Sequence, residues 1–170
     1  AILAAQAMSA QGEYERAAET LQNALRRNPG EPRLLAFQSQ IALLLGSPRD
    51  SVDFLYKLRE SAPDTPGIEL SLGLGLLRAG LVEDALPMIE DALAKNPDNP
   101  RVQVAYTQAL EAAGTPEKAL AYASGLLESE PEQVTYITLV GTLLESQGRT
   151  AEARGLYLER LKAQPGEPTL

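Results

Sequence analysis

A chain of 170 residues with neither Cys nor His has few side chains with which to do chemistry. No disulfide, thiolate nucleophile or Cys-ligated metal site is open to it. The usual catalytic base and the commonest transition-metal ligand are missing as well. What remains are short glycine and carboxylate clusters. Gly73-Leu74-Gly75-Leu76-Leu77-Arg78 resembles the opening of a dinucleotide loop, but it lacks the third Gly and follows no strand, so it reads as helix packing. Glu83-Asp84 and Glu90-Asp91 are adjacent pairs whose members point in different directions on a helix; they read as solvated surface rather than as an acid/base couple. Asp98-Asn99 follows Pro97 and lacks the remaining ligands of a calcium loop. No catalytic, cofactor-binding or metal-binding residue is expected, and an enzyme would need its chemistry from a separate domain.

The elements that carry these residues repeat. Gly12, Gly46, Gly80, Gly114 and Gly148 are spaced by 34 residues, and Pro29, Pro63, Pro97, Pro131 and Pro165 each follow one of them by 17. Five residues after each Gly stands a small side chain: Ala17, Ser51, Ala85, Ala119, Ala153. Nine after it come Leu21, Leu55, Ile89, Ala123 and Tyr157, and twelve after it Ala24, Leu58, Ala92, Leu126 and Arg160. A fixed period of this length marks a repeat architecture. Apolar residues recur at three- and four-residue spacing on both sides of each Gly, so each unit is two amphipathic helices. The Gly closes the first helix in a left-handed conformation, and the Pro stops the second. The small column lets helices approach closely, and stacked pairs share a core that none could bury alone.

On these columns the chain resembles the tetratricopeptide-repeat family over all 170 residues. The third unit fits best through Leu72-Gly73, Gly80, Ala85, Ile89, Ala92 and Pro97; the first fits through Gly12, Tyr14, Ala17, Leu21, Ala24 and Pro29. The column eleven before each Gly, where the family favours Trp, holds Ala1, Leu35, Glu69, Gln103 and Ile137. Ser39, Pro48, Ser51 and Leu58 depart from the pattern in the second unit and Arg160 in the fifth, departures expected to loosen individual interfaces. The resemblance implies an all-α, α-solenoid fold: a right-handed superhelix of about five antiparallel helix pairs, first helices lining a concave groove. One domain of repeats at about 1–31, 32–65, 66–99, 100–133 and 134–167 is expected, cut from a longer protein. Pro168-Thr169-Leu170 would begin a sixth unit, and Pro87, inside a second helix, is expected to bend it.

Charge narrows the partners. Fifteen Lys and Arg against 23 Asp and Glu give −8, the wrong sign for nucleic acid or an anionic membrane surface. Residues 66–133 hold 4 basic and 11 acidic side chains and so carry most of that excess, read either as solubility or as a docking patch for a basic partner. The longest uncharged run, Leu34–Pro48, is short of the roughly 20 apolar residues that span a bilayer. A soluble protein is expected, by resemblance a bacterial one of periplasm or cytoplasm, with the compartment left open.

The groove lining falls in the columns ten, six and three before each Gly: Ala36, Gln40, Leu43, Leu70, Leu74, Leu77, Val104, Gln108, Glu111, Thr138, Thr142 and Glu145. By resemblance, the family's chaperone-serving members hold a terminal carboxylate with Lys, Arg and Asn here. This surface offers only Arg33, Arg78 and Arg101 and no Asn, so a carboxylate clamp is not expected. The apolar centre suits an amphipathic helix or an extended apolar segment; the competing reading packs Leu43, Leu70, Leu74 and Leu77 inside the superhelix or against neighbouring repeats of a longer chain. The expected function is a non-catalytic scaffold holding a protein or peptide, by resemblance in a bacterial envelope assembly such as exopolysaccharide export. The alternative is a structural module that self-associates end to end through uncapped terminal repeats, to be separated from the first by concentration-dependent mass.

Overall fold

The computed structural model describes residues 1–163, with side chains through residue 160. Pro165 and Pro168-Thr169-Leu170, assigned above to the proline column and a sixth unit, lie outside the described residues. Among the described residues there are ten α-helices and no strand. In chain order they are α1 (Ile2–Ala10), α2 (Tyr14–Leu25), α3 (Pro32–Leu44), α4 (Pro48–Ser61), α5 (Ile68–Arg78), α6 (Val82–Lys95), α7 (Pro100–Ala112), α8 (Pro116–Ser129), α9 (Val134–Ser146) and α10 (Thr150–Ala163). Two compact units divide them, Ala1–Ala92 and Leu93–Leu170.

Every Gly of the 34-residue column has positive φ, between 72° and 77°, a conformation that costs a side-chain-bearing residue about 1–2 kcal/mol. The residue after each returns its N–H to a carbonyl five positions back: Glu13 to Met8 at 2.9 Å, Ser47 to Ala42 at 2.8 Å, Leu81 to Leu76 at 2.9 Å, Thr115 to Leu110 at 3.0 Å and Arg149 to Leu144 at 2.8 Å. This is the Schellman closure, which satisfies carbonyls that the helix end would leave without partners. Pro29, Pro63, Pro97 and Pro131 all stand beyond second-helix ends, and Pro32, Pro48, Pro100 and Pro116 open helices, where a missing N–H costs nothing. Helix α6 continues through Pro87, which faces solvent; the missing N–H removes one rung without ending the helix.

In the first unit Leu21, Leu35, Ile41, Leu55, Ile68 and Leu72 form one buried cluster with Ala5 and Ala17. Val52, Leu76 and Ala85 form another. A fully buried Leu or Ile contributes about 1.5–3 kcal/mol. In the second unit the buried positions of α9, Tyr136, Ile137, Val140, Leu143 and Leu144, trace one helical stripe. All five members of the small column are at 0% exposure. Close approach is tightest at Gly73, where an added Cβ would run into Ile89 Cγ1, and at Gly141, where it would meet the Tyr157 ring.

Candidate functional site

The second unit carries a cleft of about 450 Å³ between α7 and α9. Helix α7 is fixed at its start by Pro100 and by Asn99, whose side chain accepts the Arg101 N–H at 3.0 Å. Its inward positions Val102, Ala105 and Ala109 are buried, which turns Val104, Gln108 and Glu111, at i, i+4 and i+7, to the cleft. Helix α9 answers with Thr135, Thr138, Leu139 and Thr142, again one helical face. Val134 at its start is among the exposed large apolar residues. The lining is therefore mostly methyl and methylene surface, with hydroxyls and one amide between.

Local hydrogen bonds hold this lining. Thr142 Oγ1 donates to the Thr138 carbonyl at 2.8 Å, and Thr107 Oγ1, fully buried, donates to the Gln103 carbonyl at 2.9 Å. Glu111 Oε1 accepts Ser146 Oγ at 2.6 Å, placing the cleft's single carboxylate at one end. Burial raises the phenol of Tyr157 on α10 above its ordinary value, and the Glu145 carboxylate adds to the rise. Below the cleft, Gln103 of the Trp column is buried with both ends of its amide matched. Its Nε2 donates to the Pro97 carbonyl at 2.8 Å and its Oε1 accepts the Tyr136 hydroxyl. Burial, then the nearby Glu130 and Asp98 carboxylates, raise the Tyr136 phenol.

Of the lining read from the sequence, Val104, Gln108, Glu111, Thr138 and Thr142 come together in this cleft. Glu145 is exposed on α9. Ala36, Gln40, Leu43, Leu70, Leu74 and Leu77 belong to the first unit. There Gln40 is exposed, Ala36, Leu43, Leu74 and Leu77 are half-buried, and Leu70 is buried at 8% exposure. Leu77 packs against the Val52, Leu76 and Ala85 cluster and Ala36 against the larger one. Column reasoning missed Thr107, Val134, Thr135, Leu139 and Leu143, which also line the cleft. Thr135, Leu139 and Leu143 were within reach as neighbours of Thr138 and Thr142 on the same helix face.

The tetratricopeptide-repeat model matches residues 2–131, and a second tetratricopeptide-repeat model matches residues 108–168. The chain belongs to the tetratricopeptide-repeat family. This tetratricopeptide-repeat chain has an all-α, α-solenoid fold, and solved structures share it. MamA 41-end from Desulfovibrio magneticus RS-1 is 19% identical, over 97% of this chain and 93% of that one, with a TM-score of 0.78. YrrB, a TPR protein with an unusual peptide-binding site, is 17% identical over 96% and 84%, with a TM-score of 0.67. TTC0263, a thermophilic TPR protein in Thermus thermophilus, is 23% identical over 96% and 89%, with a TM-score of 0.66. No curated protein matches the sequence. No helix among the described residues is long and apolar enough to cross a membrane.

Proposed function

We propose that this tetratricopeptide-repeat chain is a non-catalytic scaffold that holds a segment of a partner protein in the α7/α9 cleft. The observation that carries this reading is the convergence of Val104, Gln108, Glu111, Thr138 and Thr142 on one cleft of about 450 Å³. Apolar surface with a few fixed polar groups is the usual make-up of a binding pocket, and an amphipathic helix or extended segment supplies the matching apolar side chains. That YrrB has a peptide-binding site on the same fold supports the reading. A bacterial envelope assembly, exopolysaccharide export among them, is the setting the Leu-, Ala- and Glu-rich, Lys-poor repeats favour by resemblance.

The test uses 12-residue peptides selected from a displayed random library on the intact chain, with affinity measured by calorimetry. Thr138→Glu sets a charge at an exposed cleft position and is expected to weaken binding about tenfold or more, with helicity unchanged by circular dichroism. Equal binding by wild type and Thr138→Glu, combined with loss in Leu74→Glu, moves the site to the first unit. Mass that rises with concentration in sedimentation, with no selectable peptide, favours the self-associating alternative.

A further inference from the structure

A second cleft, in the first unit, is lined largely by polar side chains. The columns eight and four before the turn Gly hold Ala4, Gln38, Leu72, Tyr106, Val140 and Met8, Ala42, Leu76, Leu110, Leu144. In the second repeat a glutamine therefore stands where no other repeat has an amide, and the second column shrinks to Ala. The structure leaves a cleft of about 310 Å³ there, bounded by Gln22 of α2, Gln38 and Ala42 of α3, and Asp50, Asp53 and Lys57 of α4.

Gln38 is 3% exposed, and its Oε1 accepts no hydrogen bond. The comparison with Gln103 is direct, since that buried amide is matched at both ends. Buried polar atoms are nearly always partnered, and one that is not calls for an explanation. An acceptor without a donor calls for a donor, and Gln38 is among the residues that line the cleft. The walls agree with this sign. Asp50 and Asp53 stand one turn apart on α4, and ionised carboxylates only accept. The lining holds two carboxylates and one cation, Lys57, whose Nζ lies 5.4 Å from the centroid of the Phe54 ring. A carboxylate or phosphate ligand would bring no donor for Gln38 and would meet two like charges.

We propose that the Gln38 cleft takes a guanidinium group, with Asp50, Asp53 and the Gln38 carbonyl accepting from its N–H fork. The planar guanidinium carries five donors in a rigid fork that matches a carboxylate bidentately and leaves N–H groups for a further acceptor. Its source is either an arginine side chain in a polypeptide or a free small guanidine. The site is independent of the α7/α9 cleft.

The experiment follows the Gln38 side-chain amide signals by nitrogen–proton NMR on the intact chain. The probes are acetyl-Gly-Arg-Gly-amide, its citrulline and lysine counterparts, free L-arginine and sodium acetate. The arginine peptide or free arginine is expected to give a saturable shift, with citrulline and lysine about tenfold or more weaker. Ala42→Leu, which fills the cleft, is expected to abolish the response followed at Gln38. Gln38→Leu, followed at the Gln22 side chain, is expected to do the same. Both variants should melt at or above the wild-type temperature, which separates lost binding from lost folding. A tighter arginine peptide identifies a polypeptide side chain as the source, and tighter free arginine identifies a small molecule. Signals unmoved to about 10 mM probe, citrulline equal to arginine, a response to acetate alone, or full affinity in Ala42→Leu would each overturn the proposal.

Discussion

Single side chains show what the repeat pattern could not convey. Gln103 occupies the column of a favoured Trp and reads from the sequence as a departure. Its value lies in Tyr136, 33 residues on, whose hydroxyl it accepts; no local pattern announces such a pair. Arg160, expected to loosen its interface, keeps a side chain only 9% exposed and sets Nη1 3.7 Å from Glu132 Oε1. Ser51 is different, because its hydroxyl is fully buried and unpartnered in a column otherwise made of Ala. Removing a buried hydroxyl that makes no bond returns its desolvation cost. Ser51→Ala is expected to stabilise the chain by about 1 kcal/mol, read as a higher urea midpoint at unchanged slope.

The helices were the most legible part. The 34-residue spacing of Gly and Pro located all ten, because a left-handed turn and a missing N–H are demands that few other residues meet. Half of the candidate cleft was equally legible: Val104, Gln108 and Glu111 follow from counting back from Gly114, and Thr138 and Thr142 from Gly148. Leu139 and Val134 escaped because column counting places one stripe per helix, whereas a cleft collects two neighbouring stripes. Two glycines inside helices allow a paired test. Gly73→Ala drives a Cβ into Ile89, itself fully buried, and is expected to cost about 1–3 kcal/mol. Gly125, within α8 and exposed, has nothing within 4 Å of an added Cβ; Gly125→Ala is expected to gain about 0.5–1 kcal/mol through helix propensity alone. Equal effects from the two in thermal or urea melts would remove the packing explanation for Gly73.

For the chain as a whole, the absence of His and Cys leaves stability nearly indifferent to pH through the neutral range, where His is the side chain that ordinarily titrates. The sensitive region is alkaline. Burial raises the phenols of Tyr122, Tyr136 and Tyr157, with Tyr106 and Tyr136 adding at Tyr122. A folded-state value above the unfolded one means that the native chain holds its protons longer. The stabilisation is therefore complete below the unfolded value of about 10 and is lost as pH rises through the native values. Melting temperatures are expected to be flat from about pH 7 to 9 and to fall above about pH 10; Tyr136→Phe should make that fall shallower. A flat profile through pH 11 would contradict it.

The contacts at Gly73 and Gly141 also govern how such a chain can be recombined. Gly73 makes room for Ile89, and Gly141 for the ring of Tyr157; in both cases the two partners sit on opposite sides of one glycine turn. A crossover placed at a turn would give a parent's Tyr157 to a foreign first helix, such as one bearing Thr107 in place of Gly141, and the ring would strike its side chain. A crossover placed at the Pro131 loop keeps each small residue with its own large one. Grafting and gene fusion in this chain should therefore splice at prolines, leaving every hairpin inherited whole.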